Sequence, residues 1–183
     1  MYRLIKILLR AAIALLIILS IVTLCAAVIY RLFPLKHADT INKYCDKFDV
    51  SPYLVMALIK AESNFNEDAV SHAGAKGLMQ LTDETFEHCT KVLAADFSPK
   101  EIFNPDANIC AGVWYLSYLL EKYGGNITNA VAAYNAGASN VDKWLGDTAL
   151  SPDGKTLLNI PYGETKRHCE KIKTYNKLYK FLY

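Results

Sequence analysis

Residues 51–64, SPYLVMALIKAESN, form the most distinctive helical segment of the chain. The pair Ser51-Pro52 predicts a helix start, because serine caps helices and proline suits the first helical position. The apolar residues that follow recur at helical spacing rather than alternating as in a strand. The stretch therefore predicts an amphipathic helix that ends near Asn64.

Glu62 continues the apolar face of this helix. Four residues recur at i, i+3, i+4 and i+7: Val55, Leu58, Ile59 and Glu62. Burial among apolar side chains disfavours the charged form of a carboxyl group, and a general acid has to keep its proton near neutral pH. We therefore predict that Glu62 is a proton donor. The alternative is that the helix ends here and Glu62 turns into solvent.

The N-terminal part of the chain predicts a membrane anchor. Twenty uncharged and mostly apolar residues lie between Arg10 and Arg31, which is about the length that crosses a bilayer. A cleaved signal peptide has a shorter apolar segment of about 7–15 residues. Residues 11–30 are therefore predicted to remain attached as a transmembrane signal-anchor. A slight excess of basic residues before the span favours a cytoplasmic N-terminus at residues 1–10.

Length and charge limit the part of the chain that follows the anchor. A chain of 183 residues has room for one domain of ordinary size, predicted at residues 38–183 after a connector at 31–37. Four of the 20 basic residues precede residue 32, so 16 remain against all 18 acidic ones, a net charge of −2. Such a domain has no electrostatic footprint for nucleic acid.

The cysteines and histidines of this outer domain do not predict a metal site. Four cysteines follow the anchor: Cys45, Cys89, Cys110 and Cys169. They allow three complete disulfide pairings or free thiols. No C-x-x-C motif occurs and the histidines lack ligand spacing, so the domain is predicted to use neither a metal nor an organic cofactor.

Helical spacing recurs along the whole outer domain, and no strand alternation persists. Helices are predicted at about 38–48, 52–64, 82–94, 105–123, 128–134, 141–145 and 163–183, with a short turn after Ser98-Pro99. Glycine and asparagine residues interrupt the pattern between them. The predicted fold class is therefore all-α.

Four short motifs carry a resemblance to a known family. They are AESNF at 61–65, GAKGLMQL at 74–81, AAYNAG at 132–137 and IPYGET at 160–165. Any one of them alone would be weak evidence. In this order and at these separations, they resemble the soluble lytic transglycosylase (SLT-type) catalytic domain over roughly residues 38–180.

The resemblance implies a lysozyme-like helical domain that cleaves the β-1,4 bond between N-acetylmuramic acid and N-acetylglucosamine in peptidoglycan and leaves a 1,6-anhydro ring. It implies that Glu62 protonates the glycosidic oxygen and then, as a carboxylate, takes the proton of the muramyl C6 hydroxyl. Most glycoside hydrolases use two carboxylates. Here Glu67 and Asp68 lie in a polar loop and are predicted to be solvated, whereas Glu164 suits the N-terminus of the last helix.

The resemblance also assigns roles around Glu62. It implies that four residues orient Glu62 and hold the acetamido group of the sugar: Ser71, Gln80, Tyr134 and Asn135. Ser63 and Glu164 are supporting residues. Met79 either lines the saccharide cleft or packs in the core. The family often has an aromatic residue where this chain has His168, and we expect that difference to affect only the packing of the last helix.

The sequence therefore predicts a single-pass, membrane-anchored lytic transglycosylase that acts on peptidoglycan glycan strands at the outer side of the cytoplasmic membrane. One alternative is a muramidase of the same fold, in which a second acid activates water. Another is a non-catalytic anchor that binds the wall. A further predicted partner is a membrane-spanning secretion, conjugation or sporulation assembly.

Overall fold

The structure is a computed structural model, and it describes residues 1–94 and 97–183. The chain divides into two compact units, Met1–Leu35 and Lys36–Tyr183. The first unit consists mainly of helix α1 (Tyr2–Leu32), which contains the predicted membrane segment and extends it at both ends. Helix α1 is long and apolar enough to cross a membrane, with a mean hydropathy of 3.0 over an 18-residue window.

The second unit is helical, as the sequence predicts. Its helices are α2 (Ala38–Phe48), α3 (Pro52–Glu62), α4 (Asp83–Val92), α5 (Pro105–Lys122), α6 (Ile127–Ala136), α7 (Ala138–Leu145) and α8 (Gly163–Leu182), with a 3₁₀ helix at Pro99–Phe103. Extended pairing within the described ranges is limited to two isolated bridges, Val70 with Lys76 and Lys76 with Leu81. The all-α prediction is confirmed.

Side-chain caps hold the starts of α4, α5 and α6, but not that of α3. Asn104 accepts hydrogen bonds from the N–H groups of Asp106 and Ala107, and so caps α5. Thr82 accepts one from Thr85 at the start of α4. Ser51 occupies the cap position of α3, but its side chain makes no capping hydrogen bond, so the predicted serine cap is wrong. Pro52 at the first position sets that start through its fixed backbone angle.

Helix α3 is the centre of the core. All six residues from Leu54 to Ile59 are buried, on every side of the helix, and its principal partner is α8. A helix that is apolar all round requires neighbours all round, and the other helices of the unit supply them. Because the helix ends at Glu62, its last turn carries that carboxyl group from the core to the edge of a cleft.

Asn108 fixes the loop that follows α3 against helix α5. Its side chain is completely buried and accepts a hydrogen bond from the Met79 N–H at 2.8 Å. It donates to the carbonyl oxygens of Ile102, at 2.7 Å, and Lys76, at 3.2 Å. Gly77 lies directly against this amide with φ of 75°, and a Cβ there would lie 2.4 Å from the Asn108 nitrogen. Only glycine fits that position without a shift.

Candidate active site

A cleft of about 480 Å³ lies where α3, the following loop, α6 and α8 meet. Its walls contain most of the residues that the sequence singles out. The lining residues are Glu62, Ser71, His72, Ala73, Ala75, Gln80, Thr82, Tyr134, Asn135 and Glu164. Four separate chain segments supply these side chains, so the tertiary fold assembles the site.

Glu62 is largely withdrawn from solvent in the wall of this cleft. Its side chain is 14% exposed, which contradicts the alternative that it turns into solvent. Its Oε1 atom lies 3.2 Å from Nε2 of His168, whose side chain is 12% exposed. The two atoms are at ion-pair distance, yet their orientation is not that of a hydrogen bond, and this buried nitrogen has no hydrogen-bond partner among the described residues.

The structure places His168 beside Glu62, so the difference from the family lies at the candidate acid as well as in the packing of α8. A local signal for its inward direction exists in the sequence. His168 lies three residues after Thr165 and four before Ile172, and both of these are buried. Residues at such spacing share one face of a helix. Sequence spacing does not reveal which residue of another helix that face meets.

The loop at 63–81 is held by its own polar side chains. Ser63, at the end of α3, donates a hydrogen bond from its hydroxyl to the Leu78 carbonyl at 2.8 Å. The side-chain amide of Gln80 donates to the carbonyl oxygens of Ala69 and Gly77 at 3.0 and 2.9 Å. These contacts fix the loop relative to Glu62.

Ser71 stabilises the turn that borders the cleft. Its hydroxyl oxygen accepts a hydrogen bond from the Ala75 N–H at 3.0 Å, and the side chain is partly exposed toward the cleft. The hydroxyl hydrogen is thereby left to point elsewhere, since one hydroxyl group both donates and accepts. Ser71 can therefore present a donor to a group bound in the cleft.

Tyr134 joins α6 to the loop beneath Glu62. Its hydroxyl donates to the Met79 carbonyl at 2.9 Å, and its ring is tilted against Tyr115 at 5.3 Å. Burial, and secondly the nearby Glu62 carboxyl, raise the pKa of Tyr134 well above its ordinary value. Tyr134 is therefore a lasting hydrogen-bond donor rather than an acid that gives up its proton.

Asn135, Glu164 and Met79 differ in how they relate to the cleft. Asn135 is exposed there, and its Oδ1 accepts a hydrogen bond from the Thr165 hydroxyl at 2.7 Å. Glu164 is also exposed, in the first turn of α8. Met79 is completely buried and packs on Gly112, where an added Cβ would lie 2.4 Å from the Met79 sulfur. Met79 therefore packs in the core instead of lining the cleft, as a flexible thioether often does.

Glu67, Asp68 and the cysteines lie outside the cleft. Glu67 contacts His37 at 3.2 Å and is 47% exposed, and Asp68 is exposed too, as predicted for the polar loop. All five cysteines are free, and the four in the second unit are buried. Within residues 1–94 and 97–183, no group of three or more His, Cys, Asp or Glu side chains is placed to hold a metal ion.

Comparison with known proteins matches the helical domain to a family. The model of the Transglycosylase SLT domain matches residues 39–157. The soluble lytic murein transglycosylase of Salmonella typhimurium is 34% identical over 151 residues, covering 81% of this chain and 23% of the relative. The membrane-bound lytic murein transglycosylase C of Yersinia pestis is 30% identical over 167 residues, covering 79% of this chain and 47% of the relative.

Solved structures agree with the sequence match. The 70 kDa soluble lytic transglycosylase of Escherichia coli superposes with a TM-score of 0.75 at 30% identity, over 84% of this chain and 25% of that one. An inactive Glu-to-Gln mutant of the lytic transglycosylase Slt from Pseudomonas aeruginosa gives 0.73 at 30% identity, over 81% and 24%. This chain spans about a quarter of the length of these soluble relatives. The helical fold, the four motifs and the family-model match together establish that the chain belongs to the Transglycosylase SLT domain family.

Proposed function

We propose that this protein is a lytic transglycosylase that cleaves the β-1,4 bond between N-acetylmuramic acid and N-acetylglucosamine in peptidoglycan. The observation that carries the proposal is Glu62, a largely buried carboxyl group in a cleft otherwise lined mainly by hydroxyl, amide and apolar groups. Hydroxyl and amide side chains orient a carboxyl group and a neutral sugar without adding charge. The family match and the lytic transglycosylases among its relatives support the assignment.

In the proposed reaction, Glu62 first gives its proton to the glycosidic oxygen, and the bond from that oxygen to C1 of the muramyl residue breaks. The C6 hydroxyl oxygen of the same residue then bonds to C1, and its proton passes to the Glu62 carboxylate. No water is consumed, and Glu62 ends the cycle protonated as it began. One carboxyl group thus serves as acid and then as base, where most glycosidases use two.

The surrounding side chains have proposed supporting roles. In this proposal Ser71 and Asn135, which face the cleft, bind the acetamido group, while Gln80 and Ser63 hold the loop in position. Tyr134 fixes the loop through the Met79 carbonyl. In this proposal Met79 contributes only its backbone carbonyl oxygen, which accepts the hydrogen bond from Tyr134.

A muramidase remains the second candidate, because Glu164 lines the same cleft and is a carboxylate that could activate water. Product mass separates the two reactions. The full chain in a mild detergent is incubated with purified peptidoglycan, and the released muropeptides are analysed by mass spectrometry. We expect anhydro-ended products, each lighter by one water than its hydrolytic counterpart. Exclusively reducing-end muramic acid, lost in a Glu164→Gln variant, would show that the enzyme is a muramidase.

The role of Glu62 is tested by Glu62→Gln, which keeps the shape of the side chain and removes its transferable proton. General acid–base catalysis typically contributes about 10²–10⁴-fold, so turnover should fall at least about 100-fold while binding to peptidoglycan persists. The inactive Glu-to-Gln mutant of the Pseudomonas aeruginosa relative supports this expectation. Gln80→Ala and Tyr134→Phe should reduce the rate less. A Glu62→Gln enzyme with more than a tenth of the normal rate would rule out this assignment.

We also propose that α1 anchors the enzyme in the cytoplasmic membrane, with the N-terminus inside and the family domain outside. The apolar length of α1 and the existence of a membrane-bound relative support this topology. In cells stripped of their wall, external protease should remove the domain and leave a membrane-bound fragment. Release of full-length protein by high salt, or complete protection from the protease, would contradict it. A membrane-spanning assembly as a partner stays a prediction.

A further inference from the structure

The contact between Glu62 and His168 joins two ionisable side chains that are distant in sequence, one on α3 and the other on α8. The carboxyl oxygen and the imidazole nitrogen are 3.2 Å apart, and the two side chains are only 14% and 12% exposed. Helix α8 packs along α3, the central helix of the core, so the pair is built into the main helix contact of the domain. The imidazole nitrogen makes no hydrogen bond within the described part of the chain.

We infer that His168 is a positioning residue that shares one proton with Glu62, so that the pair, rather than the carboxyl group alone, is the unit that titrates during catalysis. The inference rests on the proposed function. An imidazole at this distance needs only a small rotation to make a hydrogen bond with the carboxyl group. Unlike a purely aromatic side chain, it can accept the proton of Glu62 and return it.

The other charged and titratable groups around the pair do not form a competing partner. From α8, Lys171 donates to the Ala61 carbonyl at 3.1 Å, while Glu164 and Arg167 are exposed. From α3, Lys60 pairs with the side chain of Asn64. From α6, Tyr134 keeps its proton and directs its hydroxyl to the Met79 carbonyl. In the cleft loop, His72 is exposed to solvent. His168 is therefore the group placed to exchange a proton with Glu62.

The number of protons on the pair determines activity. With one proton, the pair can hold a protonated Glu62 beside a neutral imidazole, which is the form that donates to the glycosidic oxygen. Loss of that proton at high pH removes the acid. A second proton at low pH places an imidazolium beside Glu62, which weakens the carboxylate as a base and opposes the positive charge of an oxocarbenium-like transition state. The rate should therefore fall on both sides of an optimum.

Proton balance is preserved through the cycle. The pair gives one proton to the leaving oxygen and recovers one from the C6 hydroxyl group. Between these steps His168 is neutral, so it does not compensate the carboxylate that must act as base.

The test is the pH dependence of kcat/KM for release of anhydro products, measured between about pH 4.5 and 9 with the full chain and purified peptidoglycan. The variants are His168→Gln and His168→Tyr, which keep a polar group but do not titrate in this range. His88→Gln is the matched control, because His88 is exposed on α4 and contacts Trp114 at a ring distance of 6.1 Å, away from the cleft.

We expect a bell-shaped profile for the unmodified enzyme and for His88→Gln. Both His168 variants should lose the acidic limb, and their alkaline limb should move to lower pH, because Glu62 then has no imidazole with which to share its proton. Thermal unfolding and peptidoglycan binding establish that each variant is folded.

Two results would contradict the inference about His168. If both folded variants lose activity by the same factor at every pH, or keep the profile of the unmodified enzyme, His168 has only a packing role and the inference is wrong. If His168→Gln does not fold, His168→Tyr alone decides between these outcomes, because the site then retains a ring. Should neither variant fold, the pH profile of the unmodified enzyme decides, and a profile with only an alkaline limb overturns the inference.

Failure of the proposed function itself would show differently, as an unmodified enzyme that releases no anhydro product or a Glu62→Gln enzyme that remains active.

Discussion

Replacement of Asn108 by alanine tests whether one buried amide positions the loop of the active site. The side chain is completely buried in α5 and makes three hydrogen bonds, one from the Met79 N–H and two to the carbonyl oxygens of Lys76 and Ile102. Asn108→Ala removes all three. It also opens space beside Gly77, whose backbone lies against the amide.

The expected loss of unfolding free energy follows from these contacts. Each hydrogen bond contributes about 1 kcal/mol net, and a buried N–H that is left without a partner costs about 1–3 kcal/mol. Alanine is the better helix former and offsets about 0.5 kcal/mol. The two bonds to carbonyl oxygens at about 1 kcal/mol each and the unpaired Met79 N–H at about 1–3 kcal/mol, less the helix offset, give a destabilisation of about 2.5–4.5 kcal/mol. This is a large share of the roughly 5–15 kcal/mol that holds a typical domain folded.

The measurement is urea-induced unfolding of the full chain in mild detergent, followed by the fluorescence of the two tryptophans, Trp114 and Trp144, which both lie in the helical domain. Asn42→Ala, an exposed substitution on α2, is the matched control and should change stability by less than about 0.7 kcal/mol. Asn108→Asp keeps the acceptor for Met79 but turns a carboxylate toward two carbonyl oxygens, so it should destabilise at least as much. A loss below about 1 kcal/mol in Asn108→Ala would refute this account of the loop.

Two further predictions concern the core. Gly112→Ala places a Cβ 2.4 Å from the Met79 sulfur and should cost about 1–3 kcal/mol of unfolding free energy. Gly146→Ala, whose added Cβ would lie 3.5 Å from the Lys143 carbonyl oxygen, should be close to neutral, and equal effects of the two substitutions would contradict the packing described. Burial raises the pKa of the Cys45 and Cys89 thiols to about 12. Iodoacetamide near pH 8 should therefore leave both thiols unmodified in the folded chain and label both in urea, which peptide mass analysis can establish. Rapid labelling of the folded chain would disprove their burial.

Much of the fold could be predicted from the sequence because helix formation depends on residues that are close along the chain. The apolar spacing of residues 52–62 and the capping groups at Thr82 and Asn104 act within one or two turns, and the helices begin where they indicate. Helix ends were less accurate. Helix α4 ends at Val92, two residues before the predicted end, and α6 continues two residues beyond it to Ala136. Termination depends on the packing of the last turn as well as on local residues.

The sequence by itself determined that Glu62 lies on the buried face of its helix, and its motifs indicated the family. Only the tertiary structure determined which side chains contact that carboxyl group. The contact of Glu62 with His168 joins α3 to α8, and the contact of Tyr134 with the Met79 carbonyl joins α6 to the loop. Periodicity specifies which face of a helix turns inward, but the relative rotation and height of two packed helices specify which residues touch. The relative rotation and height of the helices depend on the packing of the whole core, and no local sequence pattern specifies them.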